Sequence, residues 1–372
     1  MSKPAARFLS LDVFRGLTVF LMIVVNTAGP GAKAYTQLVH APWFGFTAAD
    51  AVFPSFLFAV GCSMAFAFSR PIPLNDFLVK VLKRTALIFL LGFLMYWFPF
   101  VHKVDGHWVP SPFSETRVTG VLQRIALCYM LAAFAVRWLS PRLIVVLSAV
   151  LLLGYWAILL VFGDPAAPLS KLGNAGTHLD LFLIGQNHLY RKDAGFDPEG
   201  LLGALPATVN VLAGYLAARL LRAASEARQA VRRMVLIGAT LVLAGLAWGL
   251  AFPIAKKLWT GSFVLLTVGI DFLLLAGLTL ALEGKGTNAF TRFFEVFGLN
   301  PLVIYLFSEL FVVVLGMIEV APGVGIYNWI GVHVFQAMAP GALGSLLCAL
   351  AYTLLCWLLG YVMYRRGVVV KL

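Results

Sequence analysis

Ten stretches of predominantly apolar sequence, each close to twenty residues long, limit what this chain can fold into more than any other feature. They run at about 11–28, 47–69, 82–100, 118–138, 143–162, 199–221, 232–252, 260–283, 296–318 and 341–364. A bilayer core about 30 Å thick is crossed by roughly 20 apolar helical residues, and a helix satisfies its own backbone groups where no water can. The stretches are too long for strands and too numerous to form one buried core. With 61% hydrophobic and 12% charged residues, the expected fold is all-α. It is a polytopic membrane helix bundle of about ten transmembrane helices, a single integral-membrane domain over residues 1–372.

Charge sets the orientation. Of the 28 lysines and arginines, 18 fall on segments facing one side and eight on the other, with Arg15 and Arg124 inside spans. The richer side takes in Lys3, Arg7 and Lys371 near the two ends and pairs such as Lys83–Arg84 and Arg232–Arg233. The positive-inside rule places that side, and both termini, in the cytoplasm. The net charge of +12 is therefore a topology signal, and no nucleic-acid partner is expected. The other, periplasmic side carries the longest connection, about 163–198, and long loops at 29–46, 101–117 and 319–340. Loops of that length are often functional, so the chemistry is expected at that face. Cys62, Cys128, Cys348 and Cys356 lie within spans without metal-ligand spacing, so they read as packing residues and no metal is expected. The first apolar stretch contains charges and lacks a small-residue cleavage site, unlike a signal peptide. No repeat relates the first five spans to the last five, which weakens an inverted-repeat transporter reading.

Ionisable residues inside a span cost at least about 2.5 kcal/mol each, so they point to function. The first span holds Asp12, Arg15 and Asn26. At 100° per residue, Arg15 lies about 60° and Asn26 about 40° from Asp12, on one helix face. That face is either a packing ion pair plus a bonded amide, or a polar track through the membrane. A loop histidine, His40, precedes Thr47 and Asp50 at the head of the second span. Thr47 and Asp50 have the spacing of a capping box, so Asp50 serves its helix, the histidine, or both. Imidazole is the side chain suited to exchanging a proton near neutrality. The fourth span holds Gln123 and Arg124, with Arg117 and Gly120 just ahead. An arginine there needs a carboxylate, a phosphate or a water-filled cavity; Asp271 and Glu309, deep in the eighth and ninth spans, are candidate partners for Arg124 or Arg15. The sixth span opens on FDPEG at 196–200 and the eighth on KKLWT at 256–260, whose lysines and tryptophan also suit interfacial anchors.

The strings LDVFRGLT at 11–18, MIVVN at 22–26 and HAPWFGFTAADAVFP at 40–54 resemble the heparan-α-glucosaminide N-acetyltransferase family. The shorter blocks GVLQRIA (120–126), FDPEGLL (196–202), KLWT (257–260) and GLNP (298–301) follow in family order, so the resemblance covers nearly the whole chain. It implies an enzyme that takes acetyl-CoA from the cytosol and acetylates the amine of an amino sugar of glucosamine type across the membrane. The family's loop histidine maps onto His40 as base or acetyl carrier, and its first-span asparagine onto Asn26. The chain differs from the lysosomal member in having Ser308 where that enzyme has a histidine before Glu309, and in lacking a large luminal domain ahead of the first span. A small amino sugar or cell-wall fragment is accordingly the expected acceptor, and a bacterial inner membrane the expected location. The family also suggests a homodimer.

On this reading His40, Asn26 and Asp50 are the catalytic candidates. Asp12, Arg15, Lys83, Arg84, Gln123 and Arg124 are the candidates for holding acetyl-CoA, with Arg15, Lys83 and Arg84 neutralising its phosphates. Asp197, Glu199, Lys257 and Trp259 are the candidates for the sugar. The rival readings are O-acetylation of a cell-wall or surface glycan, and a transporter of sugars or amphiphiles.

Overall fold

The computed structural model describes residues 8–370 except 194 and 225; Lys3, Arg7 and Lys371, counted above on the basic side, lie outside the described residues. The bundle opens with α1 (Leu9–Asn26), α2 (Ala48–Ala67) and α3 (Leu74–Trp97). A short antiparallel hairpin follows, β1 (Val101–Val104) with β2 (His107–Pro110). Its two-residue turn, Asp105–Gly106, takes positive φ at both positions, the twist that lets two strands close tightly. Next come α4 (Val121–Trp138), α5 (Pro141–Phe162), the short loop helix α6 (Ala175–Leu183), α7 (Ala204–Ala223), α8 (Ala227–Trp248) and α9 (Gly261–Leu282). The chain finishes through α10 (Ala289–Leu299), α11 (Pro301–Met317), a second hairpin of β3 (Glu319–Ala321) and β4 (Val324–Gly325), the short α12 (Ile326–Ile330) and α13 (Gln336–Met338), and α14 (Ala342–Arg365).

Among the described residues, eight helices are long and apolar enough to cross a membrane, or up to nine if the bent pair α10–α11 is one span. The expected polytopic helix bundle is present, with three local differences. The third span starts earlier than expected and α3 carries Lys80, Lys83 and Arg84 in its first half, so it falls outside that count. The ninth breaks by 77° between α10 and α11. Pro301 has no N–H to continue a helix and disfavours helical geometry at Asn300, whose φ and ψ are −127° and 54°. The FDPEG stretch is loop, and α7 begins only at Ala204.

Burial separates centre from rim. In α2 and α7, 78% and 72% of the most apolar window is buried, against 22% in both α5 and α8. The two inner helices touch through glycine. A Cβ on Gly214 would lie 1.9 Å from the Phe58 carbonyl oxygen, and one on Gly61 1.9 Å from that of Val211. Small residues let membrane helices approach to backbone contact, which is where their packing energy comes from. The outer helices turn Val145, Val150, Leu153, Leu236 and Leu243 outward, as side chains facing lipid must. All four cysteines are free and buried, as their positions within spans implied.

Candidate active site

Four connections, 27–47, 98–120, 163–203 and 249–260, gather at one end of the bundle around a cavity of about 500 Å³. Its lining includes Asn26, His40, Tyr96, Glu199, Lys256 and Lys257. Asn26 ends α1, His40 sits in the loop before α2, and the other four come from three further segments. Four of the sequence candidates, Asn26, His40, Glu199 and Lys257, thus share one chamber, with Asp50 directly behind it.

The histidine is held from behind. Asp50 Oδ1 lies 2.9 Å from His40 Nδ1, while Oδ2 accepts from the backbone N–H of Ala41 (3.2 Å) and of Thr47 (3.0 Å). The capping box anticipated at Thr47 and Asp50 is formed, so one carboxylate caps α2 and orients the ring together. Its side chain is fully buried, whereas that of His40 is 36% exposed. An ionised carboxylate only accepts, so Nδ1 carries the hydrogen and Nε2 keeps the lone pair on the cavity side. Asn26 is fixed differently: its Nδ2 donates to Glu309 Oε1 at 2.9 Å. One amide N–H and the carbonyl oxygen remain for a ligand. Glu309 is therefore the partner of Asn26, and Asp271 accepts from Ser55 Oγ at 2.5 Å; neither pairs with Arg124 or Arg15.

The chamber's far wall rests on Arg117, which donates to Asp197 (2.8 and 2.5 Å) and to Glu199 (2.6 Å). Its guanidinium lies between the rings of Tyr96 and Tyr190, 4.8 and 4.7 Å from their centroids. Burial alone would lower the Arg117 guanidinium, but Asp197 and Glu199 outweigh it and hold it above its ordinary value. Burial would likewise raise Asp197, yet its bonds from Arg117 and Thr119 keep it below the usual carboxylate range. Beside them Asp193 bridges Lys171 and Lys257, each at 2.7 Å. Burial would raise this carboxyl too, and the two lysines hold it low. Tyr96, Arg117, Tyr190, Asp193 and Lys256 were not among the sequence candidates for this site.

Two expected sugar-binding residues stand behind the wall instead of in it. Asp197 is buried and spends its oxygens on Arg117, Thr119, Tyr190 N and Glu199 N. Trp259, 1% exposed, bonds Asn210 through Nε1 at 3.1 Å and meets Phe53 edge-on. Phe53 is the ring that reaches the cavity. Gln123 and Arg124, expected at the cofactor, line neither this cavity nor the one described next. Arg124 donates to Gly200 O at 2.8 Å and lies over the Trp259 ring, tying α4 to the turn before α7. Gln123 is buried against Gly92.

A second cavity, of about 560 Å³, lies toward the other end of the bundle, lined by Arg15, Ser63, Lys80, Arg84 and Tyr129 among others. Asp12 pairs with Arg15 at 2.5 Å, and Arg84 lies over the Tyr129 ring at 4.7 Å. Lys83 does not line this cavity and is exposed. Phe53 and Val121 line the first cavity, Phe56 and Leu122 the second. The two spaces therefore approach to about one helical turn, roughly 5 Å.

A many-spanned membrane bundle with a carboxylate-oriented histidine beside a loop-side chamber defines a multi-pass membrane protein. The heparan-alpha-glucosaminide N-acetyltransferase catalytic family model matches residues 7–245, and the chain belongs to that family. The heparan-alpha-glucosaminide N-acetyltransferase of Homo sapiens is 27% identical over 371 residues, 84% of this chain and 54% of that protein. The Mus musculus protein of the same name is 27% identical over 365 residues, 82% and 54%. The chain thus spans about half the length of these relatives.

Proposed function

We propose that this protein is a transmembrane acetyltransferase that moves the acetyl group of acetyl-CoA to the amine of a glucosamine-type sugar. The observation that carries the reading is His40: its Nδ1 is committed to Asp50 and its Nε2 faces a chamber that Asn26 and Glu199 also line. The second cavity suits the donor's phosphates. Besides three cations on its wall, the Nε atoms of Arg15 and Arg84 are buried without a hydrogen-bond partner among the described residues, donors that anionic oxygens would satisfy. Acetyl-CoA would supply an activated acyl carbon and a thiol leaving group. His40 Nε2 takes the proton of the acceptor amine as it attacks. The remaining amide N–H of Asn26 donates to the oxygen on which negative charge develops, and Glu309 fixes that amide. Glu199 and Lys257 hold the sugar's hydroxyls.

The basic end then faces the cytoplasm and the chamber the far side of the membrane, in keeping with a bacterial inner membrane. The test is transfer of labelled acetyl from acetyl-CoA to a panel of amino sugars by purified protein, with His40→Ala alongside. Transfer by the wild type and its loss in a folded variant that still binds acetyl-CoA is the expected result. Retained turnover in the variant removes His40 from the chemistry. Acetylation of hydroxyl but not amine acceptors transfers the reading to an O-acetyltransferase.

A further inference from the structure

Lys256 has no part in the scheme above. It lies in the connection ahead of α9, partly buried, and lines the loop-side chamber. Its Nζ is 2.9 Å from His40 Nε2, and it makes no other hydrogen bond or ion pair among the described residues. The neighbouring lysines are committed elsewhere: Lys257 and Lys171 both pair with Asp193. Because Asp50 receives the Nδ1 hydrogen, the hydrogen between Nε2 and Nζ belongs to the lysine. A primary amine resting on the free lone pair of an oriented imidazole occupies the position an acceptor amine must reach before it attacks.

We infer that Lys256 is a modification site, acetylated at Nζ by the protein's own donor when no sugar occupies the chamber; this rests on the acetyl-transfer reading of the same site. The step balances without another reactant. The Nζ lone pair adds to the carbonyl carbon of the acetyl thioester, and His40 Nε2 takes the proton released from Nζ. The C–S bond then breaks, and that proton passes to the departing thiolate, leaving an amide on Lys256 and a free thiol. Desolvation by the bundle lowers the Lys256 ammonium from its ordinary value; the carboxylates of Glu199 and Asp50 oppose this and the charges of Arg124 and Lys257 reinforce it, and the net lowering enlarges the share of nucleophilic free amine. The product differs from the normal one in being tethered. It cannot leave, its nitrogen is no longer nucleophilic, and its N–H still occupies Nε2. A high ratio of acetyl donor to acceptor would therefore shut the enzyme down, and the acceptor would protect it.

Purified wild-type protein is incubated with acetyl-CoA labelled in the acetyl group, with and without glucosamine, treated with neutral hydroxylamine, digested and mapped by mass spectrometry. The expected result is a hydroxylamine-resistant acetyl group on Lys256, lost in Lys256→Arg and in His40→Ala and reduced by glucosamine. The wild-type map decides alone, so a variant that misfolds does not protect the inference. Unmodified Lys256 in protein that binds acetyl-CoA overturns it. So does label that maps to His40 and is removed by hydroxylamine. Protein that is folded but neither binds acetyl-CoA nor acetylates any acceptor overturns the transfer reading and this inference together.

Discussion

Replacing Asp50 by Asn tests whether the carboxylate sets the histidine's tautomer. Asp50 receives three hydrogen bonds, one on Oδ1 from His40 and two on Oδ2 from Ala41 N and Thr47 N, while the single Thr47 hydroxyl hydrogen goes to its shorter contact, Val39 O. An amide has one accepting oxygen. Two backbone donors converge on one side, so the oxygen of Asn turns there and its NH₂ faces the ring. His40 Nδ1 must then accept, its hydrogen moves to Nε2, and the cavity loses its base. The analogous swap in a serine protease costs about ten-thousand-fold in turnover, about 5.4 kcal/mol at 1.36 kcal/mol per tenfold. We expect kcat for acetyl transfer to fall roughly a thousand- to ten-thousand-fold in Asp50→Asn. Acetyl-CoA binding by titration calorimetry should be unchanged, and the melting temperature should move little because both backbone bonds to the side chain survive. A folded Asn variant turning over within about threefold of the wild type would refute the tautomer argument.

Arg117→Met leaves Asp197 and Glu199 without their shared cation. Breaking a buried ion pair from one side costs about 3–5 kcal/mol, to be read as a lowered midpoint in denaturant unfolding of the solubilised protein. Arg117→Lys should recover only part of this, since a point charge cannot fork to two carboxylates between two tyrosine rings. Gly214→Ala should destabilise by about 1–3 kcal/mol, because its methyl group would drive into the Phe58 carbonyl. The same measurement checks it. Burial pushes the Asp180 carboxyl up to about 6, above its usual 3.8. Below pH 4 it is protonated folded or unfolded, whereas above pH 6 the fold must hold a desolvated charge, so stability declines across pH 4–6 by on the order of 2–3 kcal/mol. Asp180→Asn, which can still accept from Leu201 N, should flatten that decline in melting temperature; an unchanged slope contradicts it.

Contacts close in sequence were legible and distant ones were not. The Thr47–Asp50 box has a fixed three-residue spacing, and His40 lies ten residues before its carboxylate, so a tight loop could only bring them near each other. The Asp12–Arg15 pair is one helical turn. By contrast Arg117 meets its carboxylates across 80 and 82 residues, and Lys256 meets His40 across 216; periodicity within a helix carries no information at that range. The acidic turn at 196–200 was visible, but not which of its carboxylates faces the cavity. Trp259 misled because an aromatic beside lysines suits an interface as well as a core. Pro301 was in plain view, yet hydropathy is continuous across it, so a 77° break read as one span. The membrane class was legible because it depends on segment length and apolarity alone.

Helix α1 carries Arg15 on one cavity and Asn26 on the other, about 16 Å apart along its axis. It is also wedged. A Cβ on Gly16 would lie 1.8 Å from the Phe294 carbonyl oxygen, so α1 has no room to slide against α10. Within one helix, hydrogen bonds make that distance a fixed length, as on a ruler. Any tilt of α1 must then displace both ends together, and damage at the Gly16 contact should appear as simultaneous losses for two ligands that never touch it.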